Sequence, residues 1–189
     1  MLKEQYGVKV QMQNSNYPNI LVISNNSFSY TKNNGKTLAS FFKRFPDNNI
    51  AQLYFNKEKP QSDNCSNYFR ITDEEILKSI FRQLTPGQII KNDKEGETTE
   101  TIQSLSYKSI LKKMQLFRYL REYIWKFGNW ENDKLEKWLE DFSPDIIFFC
   151  AGDSGFAYNV TEHIKDKFNA KLIVYVTDDY VLPRIISSP

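Results

Sequence analysis

Residues 19–24 read Asn-Ile-Leu-Val-Ile-Ser, and this apolar run decides the fold of the chain because it is typical of a buried parallel strand. A polar stretch, residues 25–34, follows it. Gly35-Lys36-Thr37-Leu38 then opens a helix, whose core-facing residues recur at i, i+3, i+4 and i+7 as Leu38, Phe41, Phe42 and Phe45. Strand, loop and helix form the front of a βαβ unit. Since the N-terminus of such a helix favours an anion, most often a phosphate, this segment predicts a nucleotide-linked ligand.

The same alternation of strands and helices continues along the chain. Further strands are predicted at residues 50–55, 68–71, 145–150 and 172–176. Three of the predicted helices have an apolar stripe that should face the core, namely Leu77, Ile80, Phe81 and Leu84 after a capping box at Thr72–Glu75, then Leu135, Trp138, Leu139 and Phe142, then Ala157, Val160, Ile164 and Phe168. This order predicts an α/β fold, a Rossmann-like three-layer α/β/α sandwich with a mostly parallel sheet.

Composition limits the classes of protein that need to be considered. The chain has 189 residues, is 40% hydrophobic and carries a net charge of +2, which is typical of a globular domain and gives no reason to expect nucleic-acid binding. The first 18 residues are predicted to be a loose arm and residues 19–189 one domain. Cys65 and Cys150 are expected to be reduced thiols, and with no secretion signal or membrane span in the sequence a cytoplasmic location is predicted.

Three polar segments follow predicted parallel strands, at residues 24–35, 151–155 and 177–180. Because the carboxyl ends of parallel strands share one edge of the sheet, these segments should converge there and form the ligand site. Asn25, Asn26 and Ser27 in the first segment, and Asp153 and Ser154 in the second, suit hydrogen bonds to sugar hydroxyls. The alternative is an ordinary polar loop for the first group and a helix cap at residues 153–154.

Gly35-Lys36-Thr37 also matches the end of a phosphate-binding P-loop. That motif needs a second glycine five residues earlier, where this chain has Tyr30, and its loop starts directly at the strand end. The glycine fingerprint of dinucleotide-binding domains is absent as well. A P-loop-like nucleotide-binding enzyme therefore stays an alternative, and so does a non-catalytic α/β interaction module.

The order of these segments, with Pro144-Asp145-Ile-Ile-Phe-Phe149 and Leu172-Ile-Val-Tyr-Val-Thr-Asp178-Asp179 closing it, resembles the N-terminal domain of GT-B glycosyltransferases, in particular the family 4 group. The resemblance covers about residues 19–180. It implies an acceptor-side domain that transfers a sugar from a nucleotide-diphosphate sugar to a saccharide or lipid-linked acceptor, a hexosyltransferase type of activity. It also implies a second, donor-binding domain outside this chain, so that the chain alone is expected to be inactive.

The resemblance also assigns roles to single residues. Asn34, Gly35 and Lys36 match the loop that closes on the donor diphosphate, although many members have two adjacent glycines there. Asp178 and Asp179 occupy the place of the catalytic segment, where many members carry a histidine, so a carboxylate would act as base or orient the acceptor. No cofactor and no metal are implied. The residues agree, since the chain has one histidine, His163, and two distant cysteines.

The region 105–127 is predicted to be a long amphipathic helix with a basic face, made of Lys108, Lys112, Lys113, Arg118, Arg121 and Lys126. Aromatic residues lie among these bases, which is typical of helices that dock on an anionic membrane, here the inner face that would carry a lipid-linked acceptor. The alternative is a core helix with a solvated basic face. The ends of the sequence add one expectation: no closing element follows Arg184, which suggests a piece of a longer protein.

Overall fold

A computed structural model of the protein describes residues 17–31, 33–82, 84–90 and 118–176. Within these ranges the chain is α/β, with a six-stranded, mostly parallel sheet and five α-helices, as the sequence predicts. The strands are β1 (Ile20–Ser24), β2 (Ile50–Tyr54), β3 (Asn67–Arg70), β4 (Gln88–Ile90), β5 (Ile146–Ala151) and β6 (Lys171–Val176). The helices are α1 (Asn33–Phe41), α2 (Asp73–Arg82), α3 (118–127), α4 (Asp133–Phe142) and α5 (Gly155–Phe168), with a short 3-10 helix at Asp47–Asn49.

The strands lie in the order β4-β3-β2-β1-β5-β6. β1 is central and pairs in parallel with β2 on one side and with β5 on the other, Ile20 standing beside Ile50 and Ile146. From β1 the chain builds the sheet outward through β2 and β3, then returns to the opposite side of β1 as β5. The strand order therefore reverses between β1 and β5, and this is the point at which open α/β sheets bind ligands.

Each face of the sheet packs against its own hydrophobic cluster. Alternate residues of β1 divide between the two clusters, Leu21 and Ile23 on one face and Val22 on the other, because successive strand side chains point in opposite directions. The larger cluster includes residues of α3, α4 and α5, with Trp125 and Trp138 among the bulkiest. The smaller cluster includes Leu38 and Ala39 of α1 and Phe42, which directly follows the helix. Burial of β1 on both faces explains its continuous apolar sequence.

Local signals in the sequence fix two helix starts. The capping box at α2 is confirmed, since the Glu75 amide donates to Thr72 Oγ1 (3.3 Å) and the Thr72 amide donates to Glu75 Oε2 (2.8 Å). At α4 the Asn132 side chain accepts from the amides of Lys134 and Leu135, which satisfies two N–H groups that have no partner within the helix. Both caps are local in sequence, so the residues at these positions specify where the helices begin.

Several details differ from the sequence-based expectation. Helix α1 begins at Asn33, two residues before Gly35, and Phe41 is half-exposed and not a core residue. The stripe predicted to bury α2 is wrong as well. Leu77, Ile80 and Leu84 are exposed and Phe81 is 77% exposed, because α2 packs through Ile76 and Ser79. The sequence pattern does not indicate β4. It pairs antiparallel with β3 after Gly87 turns the chain at φ +95°, a left-handed conformation that favours glycine.

Candidate functional site

A pocket lies at the carboxyl ends of β1 and β5, where the strand order reverses. Its volume is about 140 Å³. It is lined by the loop after β1 (Ser24, Asn25, Asn26), helix α1 (Asn34, Leu38), Arg121 of α3, and the end of β5 with the start of α5 (Cys150, Ala151, Gly152, Asp153, Ser154, Ala157). Most of these groups are hydroxyls, amides and charged side chains. Two of the three polar segments that the sequence predicts to converge, 24–35 and 151–155, therefore meet in a pocket at the place where α/β folds most often bind ligands.

The loop after β1 is held by Gln52, a fully buried residue of β2. The Gln52 amide nitrogen donates to Ser24 Oγ (2.8 Å) and to the Asn26 carbonyl (3.0 Å), and its amide oxygen accepts from the Phe28 N–H (2.9 Å). Burying an amide group costs free energy unless the group is hydrogen-bonded. The three hydrogen bonds therefore hold both the Gln52 side chain and the loop in place. Residues 24–26, which form one wall of the pocket, are thus hydrogen-bonded to a buried residue of the sheet.

Gly35 lies in the first turn of α1 and packs against the same loop. Its carbonyl accepts from the Ser29 N–H (3.2 Å), and a β-carbon at position 35 would overlap the main-chain oxygen of Ser27. Glycine is required here because helix and loop approach too closely for a side chain. Asn34 lines the pocket, whereas Lys36 is exposed and is not among the residues that line it.

The opposite wall is the turn between β5 and α5. Ser154 is the N-cap residue of α5, but its hydroxyl makes no capping hydrogen bond. It accepts a hydrogen bond from Arg121 Nη1 (3.1 Å) and lies 3.5 Å from Asp153 Oδ1. Asp153 is exposed on the rim, with Arg118 Nη1 3.9 Å from its carboxylate. The helix-cap alternative for the Ser154 side chain is therefore not what the structure has, and both side chains remain on the pocket wall.

Arg121 connects the two walls. Its Nε donates to Asp73 Oδ1 (2.9 Å), its Nη1 to Ser154 and its Nη2 to Asn25 Oδ1 (3.2 Å). The guanidinium lies over the Phe156 ring, 4.5 Å from the ring centre, and the side chain is only 23% exposed. Asp73 also accepts from the indole Nε1 of Trp125 (2.7 Å). The guanidinium group of arginine is planar and always charged, and its three nitrogen atoms can donate in different directions. Arg121 therefore joins α2, the loop after β1 and the turn before α5.

A second pocket adjoins the first and shares Asn25 and Arg121 with it. Its volume is about 340 Å³, and it lies at the carboxyl ends of β2 and β3. The other lining residues are Phe55, Asn56, Lys57, Thr72, Asp73 and Glu74. Lys57 contacts Glu74 through an ion pair of 2.5 Å, and Lys78 contacts the other oxygen of Glu74 at 2.7 Å. Hydrogen bonds to Lys57 and Lys78 and the charges of both lysines lower the pKa of Glu74 to about 2.

The two cysteines occupy different environments, and both are free thiols. Cys150 lines the first pocket, and partial burial raises the pKa of its thiol above the ordinary value. Cys65 is buried away from the pocket, where desolvation raises its pKa to about 12. Neither environment is that of an activated nucleophile, which would need a lowered pKa. The pocket therefore offers binding and orienting groups rather than a reactive thiol.

The structure places five of the ten site residues that the sequence predicts around the first pocket. Asn25, Asn26, Asn34, Asp153 and Ser154 line the first pocket. Gly35 supports that pocket from behind, and Ser27 is buried and is not among the lining residues. Asp178 and Asp179, with the rest of the 177–180 segment, lie outside the described residues, as do the first 16 residues and the part of the basic helix before residue 118.

Sequence reasoning missed Arg121, Asp73 and Gln52 as parts of the site. In the sequence, Arg121 is one of several bases on the long helix, and Asp73 belongs to the capping box at Thr72–Glu75. Arg121 is separated from Asn25 by 96 residues and from Asp73 by 48, so no local pattern connects them. Gln52 is a polar residue inside an otherwise apolar strand, and this is the one signal that could have marked it as a buried hydrogen-bonding residue.

No sequence family, curated protein or solved structure matches the chain. Within the ranges that the structure describes, no helix is both long and apolar enough to cross a membrane. The same residues contain no group of three or more side chains of the types that usually hold a metal ion. What the protein does must therefore be argued from the pocket and from the sequence.

Proposed function

We propose that this chain is the acceptor-side domain of a glycosyltransferase. It would bind a saccharide, or the sugar of a lipid-linked acceptor, that receives a glycosyl group from a nucleotide-diphosphate sugar. The donor is a substrate here, and a second domain facing the pocket would hold most of it. Asp178 and Asp179 would supply the carboxylate near the reacting hydroxyl, and the protein would act in the cytoplasm without a cofactor or metal.

The observation that supports this proposal most is the polar pocket at the strand-order reversal. Amide, hydroxyl and carboxylate groups from Asn25, Asn34, Asp153 and Ser154 meet there in a space of about 140 Å³. Sugar hydroxyls both donate and accept hydrogen bonds, so they suit a wall that offers both kinds of group. The two hydrophobic clusters on opposite faces of the sheet favour a three-layer α/β/α arrangement, which agrees with a GT-B origin.

The position of Lys36 weakens the P-loop alternative. In a P-loop the lysine must reach the phosphates that the glycine-rich backbone surrounds. Here Lys36 is exposed and outside the pocket, and Gly35 contacts the loop at residues 27–29 where a phosphate would have to enter. An interaction module would not require the buried scaffold that Gln52 builds under the pocket wall. The same geometry counts against Gly35 and Lys36 as the loop that meets the donor diphosphate, so the proposal depends on acceptor binding in the pocket.

Exposed aromatic residues on α3 bear on the proposed membrane contact. Tyr119, Tyr123 and Phe127 are exposed, and Lys126 lies 5.9 Å from the ring centre of Phe127. Aromatic and basic residues on one helix favour binding at an anionic membrane surface, where a lipid-linked acceptor would be presented. Sedimentation with vesicles of phosphatidylglycerol, compared with phosphatidylcholine, tests this part alone. Equal sedimentation with both would remove the membrane from the proposal.

A transfer assay on the complete gene product tests the function. The protein is incubated with a panel of nucleotide-diphosphate sugars and saccharide acceptors, and the products are identified by mass spectrometry. Asn25→Ala should lower kcat/KM for the acceptor about tenfold, since it removes a hydrogen-bonding group from the wall. Asn48→Ala, an exposed position before the start of β2, is the matched control and should leave the rate unchanged.

The same assay separates the alternatives. If sugar transfer occurs and Asn25→Ala does not change its rate, the protein is a glycosyltransferase whose acceptor does not bind in this pocket. Micromolar binding of ATP, with no use of any sugar donor, would favour the P-loop alternative. Asp178→Asn and Asp179→Asn test the catalytic segment, and at least one of them should reduce turnover strongly.

A further inference from the structure

The two pockets at the sheet edge are joined through shared walls. Asn25 and Arg121 line both of them, and Arg121 is hydrogen-bonded to residues of each side, Ser154 in the first pocket and Asp73 in the second. We infer that the second pocket, at the ends of β2 and β3, is a subsite for a second sugar ring. The acceptor would then be an uncharged disaccharide or longer saccharide. This inference rests on the proposed function.

The sizes of the pockets favour two units over one. A cavity of about 150 Å³ accommodates a ring the size of benzene, so the first pocket, at about 140 Å³, holds at most one ring. The second pocket offers about 340 Å³ beyond it. A monosaccharide in the first pocket would leave this larger polar space unused. A ligand with two rings fills both and passes over Arg121.

The charges of the crevice favour a neutral ligand. Each carboxylate that lines the pockets has a cationic partner: Asp73 has Arg121, Glu74 has Lys57 and Lys78, and Asp153 has Arg118. The cations that line the second pocket, Lys57 and Arg121, are paired with Glu74 and Asp73, so a phosphate there would have to compete with two carboxylates for them. Sugar hydroxyls carry no charge and leave these pairs in place.

Hydrogen-bonding capacity remains at the junction of the pockets. Arginine has five N–H donors, and the described residues supply acceptors for three of those of Arg121. Arg121 donates to the Asn25 oxygen, and since no residue in the described ranges accepts from the Asn25 amide nitrogen, this nitrogen can donate to a ligand. Arg121 and Asn25 together therefore present donors at the place where two rings would be linked.

The indole NMR signals of two tryptophans distinguish ligand binding at the second pocket from a change elsewhere in the fold. The chain has three tryptophans. The Trp125 indole N–H donates to Asp73 in the wall of the second pocket, and the Trp138 indole N–H donates to Asn67 Oδ1 (2.6 Å) at the start of β3. In ¹⁵N-resolved NMR spectra of the 189-residue protein, disaccharides should shift the Trp125 indole signal and leave the Trp138 signal in place.

The experiment titrates the protein with glucose, galactose and N-acetylglucosamine, with α- and β-linked disaccharides of these sugars, and with glucose 6-phosphate. At least one disaccharide should bind about tenfold more tightly than its own monosaccharides. Asn56→Phe, which fills the second pocket, should abolish this gain and keep monosaccharide binding. Asn48→Phe, exposed before the start of β2, should bind as the unsubstituted protein does, and denaturation curves check that both variants fold.

The outcomes separate this inference from the proposed function. Monosaccharides that bind as tightly as every disaccharide would overturn the two-ring subsite while acceptor binding stands. A gain that survives in Asn56→Phe would place the second ring elsewhere and overturn the inference, as would tighter binding of glucose 6-phosphate than of any disaccharide. Absence of all saccharide binding, together with no transfer activity in the complete gene product, would overturn the proposed function itself.

Discussion

Gly35 packs so closely against Ser27 that a β-carbon on the glycine would overlap the main-chain oxygen of the serine. The contact joins the first turn of α1 to the loop that forms one wall of the pocket. A backbone oxygen cannot move aside as a flexible side chain does, because the loop is also hydrogen-bonded to Gln52. The position of the wall therefore depends on the absence of a side chain at residue 35.

Gly35→Ala should destabilise the protein for this reason. Alanine favours a helix over glycine by about 1 kcal/mol, whereas forcing an extra methyl group into a packed site costs about 1–3 kcal/mol. The steric cost should reach the upper end of its range because the obstacle is backbone, so the net loss in the free energy of unfolding should be about 2 kcal/mol. Urea denaturation followed by circular dichroism measures it.

Gly152→Ala is the matched control for Gly35→Ala. A β-carbon on Gly152 would meet no atom within 4 Å, and the residue needs no left-handed backbone. Its free energy of unfolding should change by no more than about 0.5 kcal/mol. Equal losses in the two variants would contradict the steric argument.

The core elements could be predicted from sequence because their signals are local. The apolar run at residues 20–23, the capping box at Thr72 and the stripe of α4 each specify structure within a few residues, and all three are found. The rotation of α2 could not be predicted this way. Its sequence has an apolar stripe, but Asp73 binds Arg121 and Ile76 lies against Gly128, so contacts with α3 turn that stripe outward.

The candidate site, like the fold, could be predicted only where local sequence and strand topology determine it. Asn25 and Asp153 follow apolar strands directly, and parallel strands bring their carboxyl ends to one edge, so their convergence follows from topology alone. Arg121 comes from a helix far from both in sequence, and it reaches the pocket only once α3 has packed on the sheet. Ser27 illustrates the opposite error, since it follows the same strand yet is buried behind the pocket wall.

Asp73→Ala should destabilise the protein more than its partly exposed position suggests. Asp73 accepts hydrogen bonds from both Arg121 and the Trp125 indole, so its removal leaves two donors without this acceptor. Loss of a partner for part-buried donors typically costs about 1–3 kcal/mol. The free energy of unfolding should fall within that range, and the Trp125 indole NMR signal should move.

The exposed pair between Arg118 and Asp153 provides the comparison for Asp73. Arg118→Ala removes a contact of 3.9 Å between groups that are both more than half exposed. Surface pairs of this kind contribute about 0–1 kcal/mol, so this variant should unfold close to the unsubstituted protein. If Arg118→Ala lowers the free energy of unfolding as much as Asp73→Ala does, the hydrogen bonds of Asp73 contribute no more than an exposed ion pair.

Glu74 should make stability depend on pH in the acid range. The pKa of Glu74 is lowered to about 2 by Lys57 and Lys78, from an ordinary value of 4.5. A carboxyl with a lowered pKa in the folded state stabilises the protein fully above the unfolded pKa, and the contribution disappears as pH falls through the folded pKa. The stabilisation from Glu74 should therefore be present above about pH 4.5 and decline toward pH 2.

The test for Glu74 compares melting temperatures of the unsubstituted protein and Glu74→Gln between pH 6 and pH 2. The difference between them should shrink as the pH falls below the unfolded pKa. Lys59→Ala, an exposed lysine outside both pockets, should keep the pH dependence of the unsubstituted protein. A constant difference over the whole range would show that the lysines do not hold the carboxylate charged.

Cys150 should report occupancy of the first pocket. It lines that pocket, whereas Cys65 is buried and its pKa is raised to about 12, so under native conditions an alkylating reagent should modify Cys150 alone. Because burial also raises the pKa of the Cys150 thiol, less thiolate is present at a given pH, and alkylation should be slower than for a free thiol and faster as pH rises.

A saccharide bound between Asn25 and Asp153 should slow the alkylation of Cys150 further. Mass spectrometry counts the modified thiols, with Cys150→Ser as the variant that should stay unmodified until it is denatured. Alkylation of Cys150 that no saccharide slows, under conditions where NMR shows binding, would place the ligand outside this pocket.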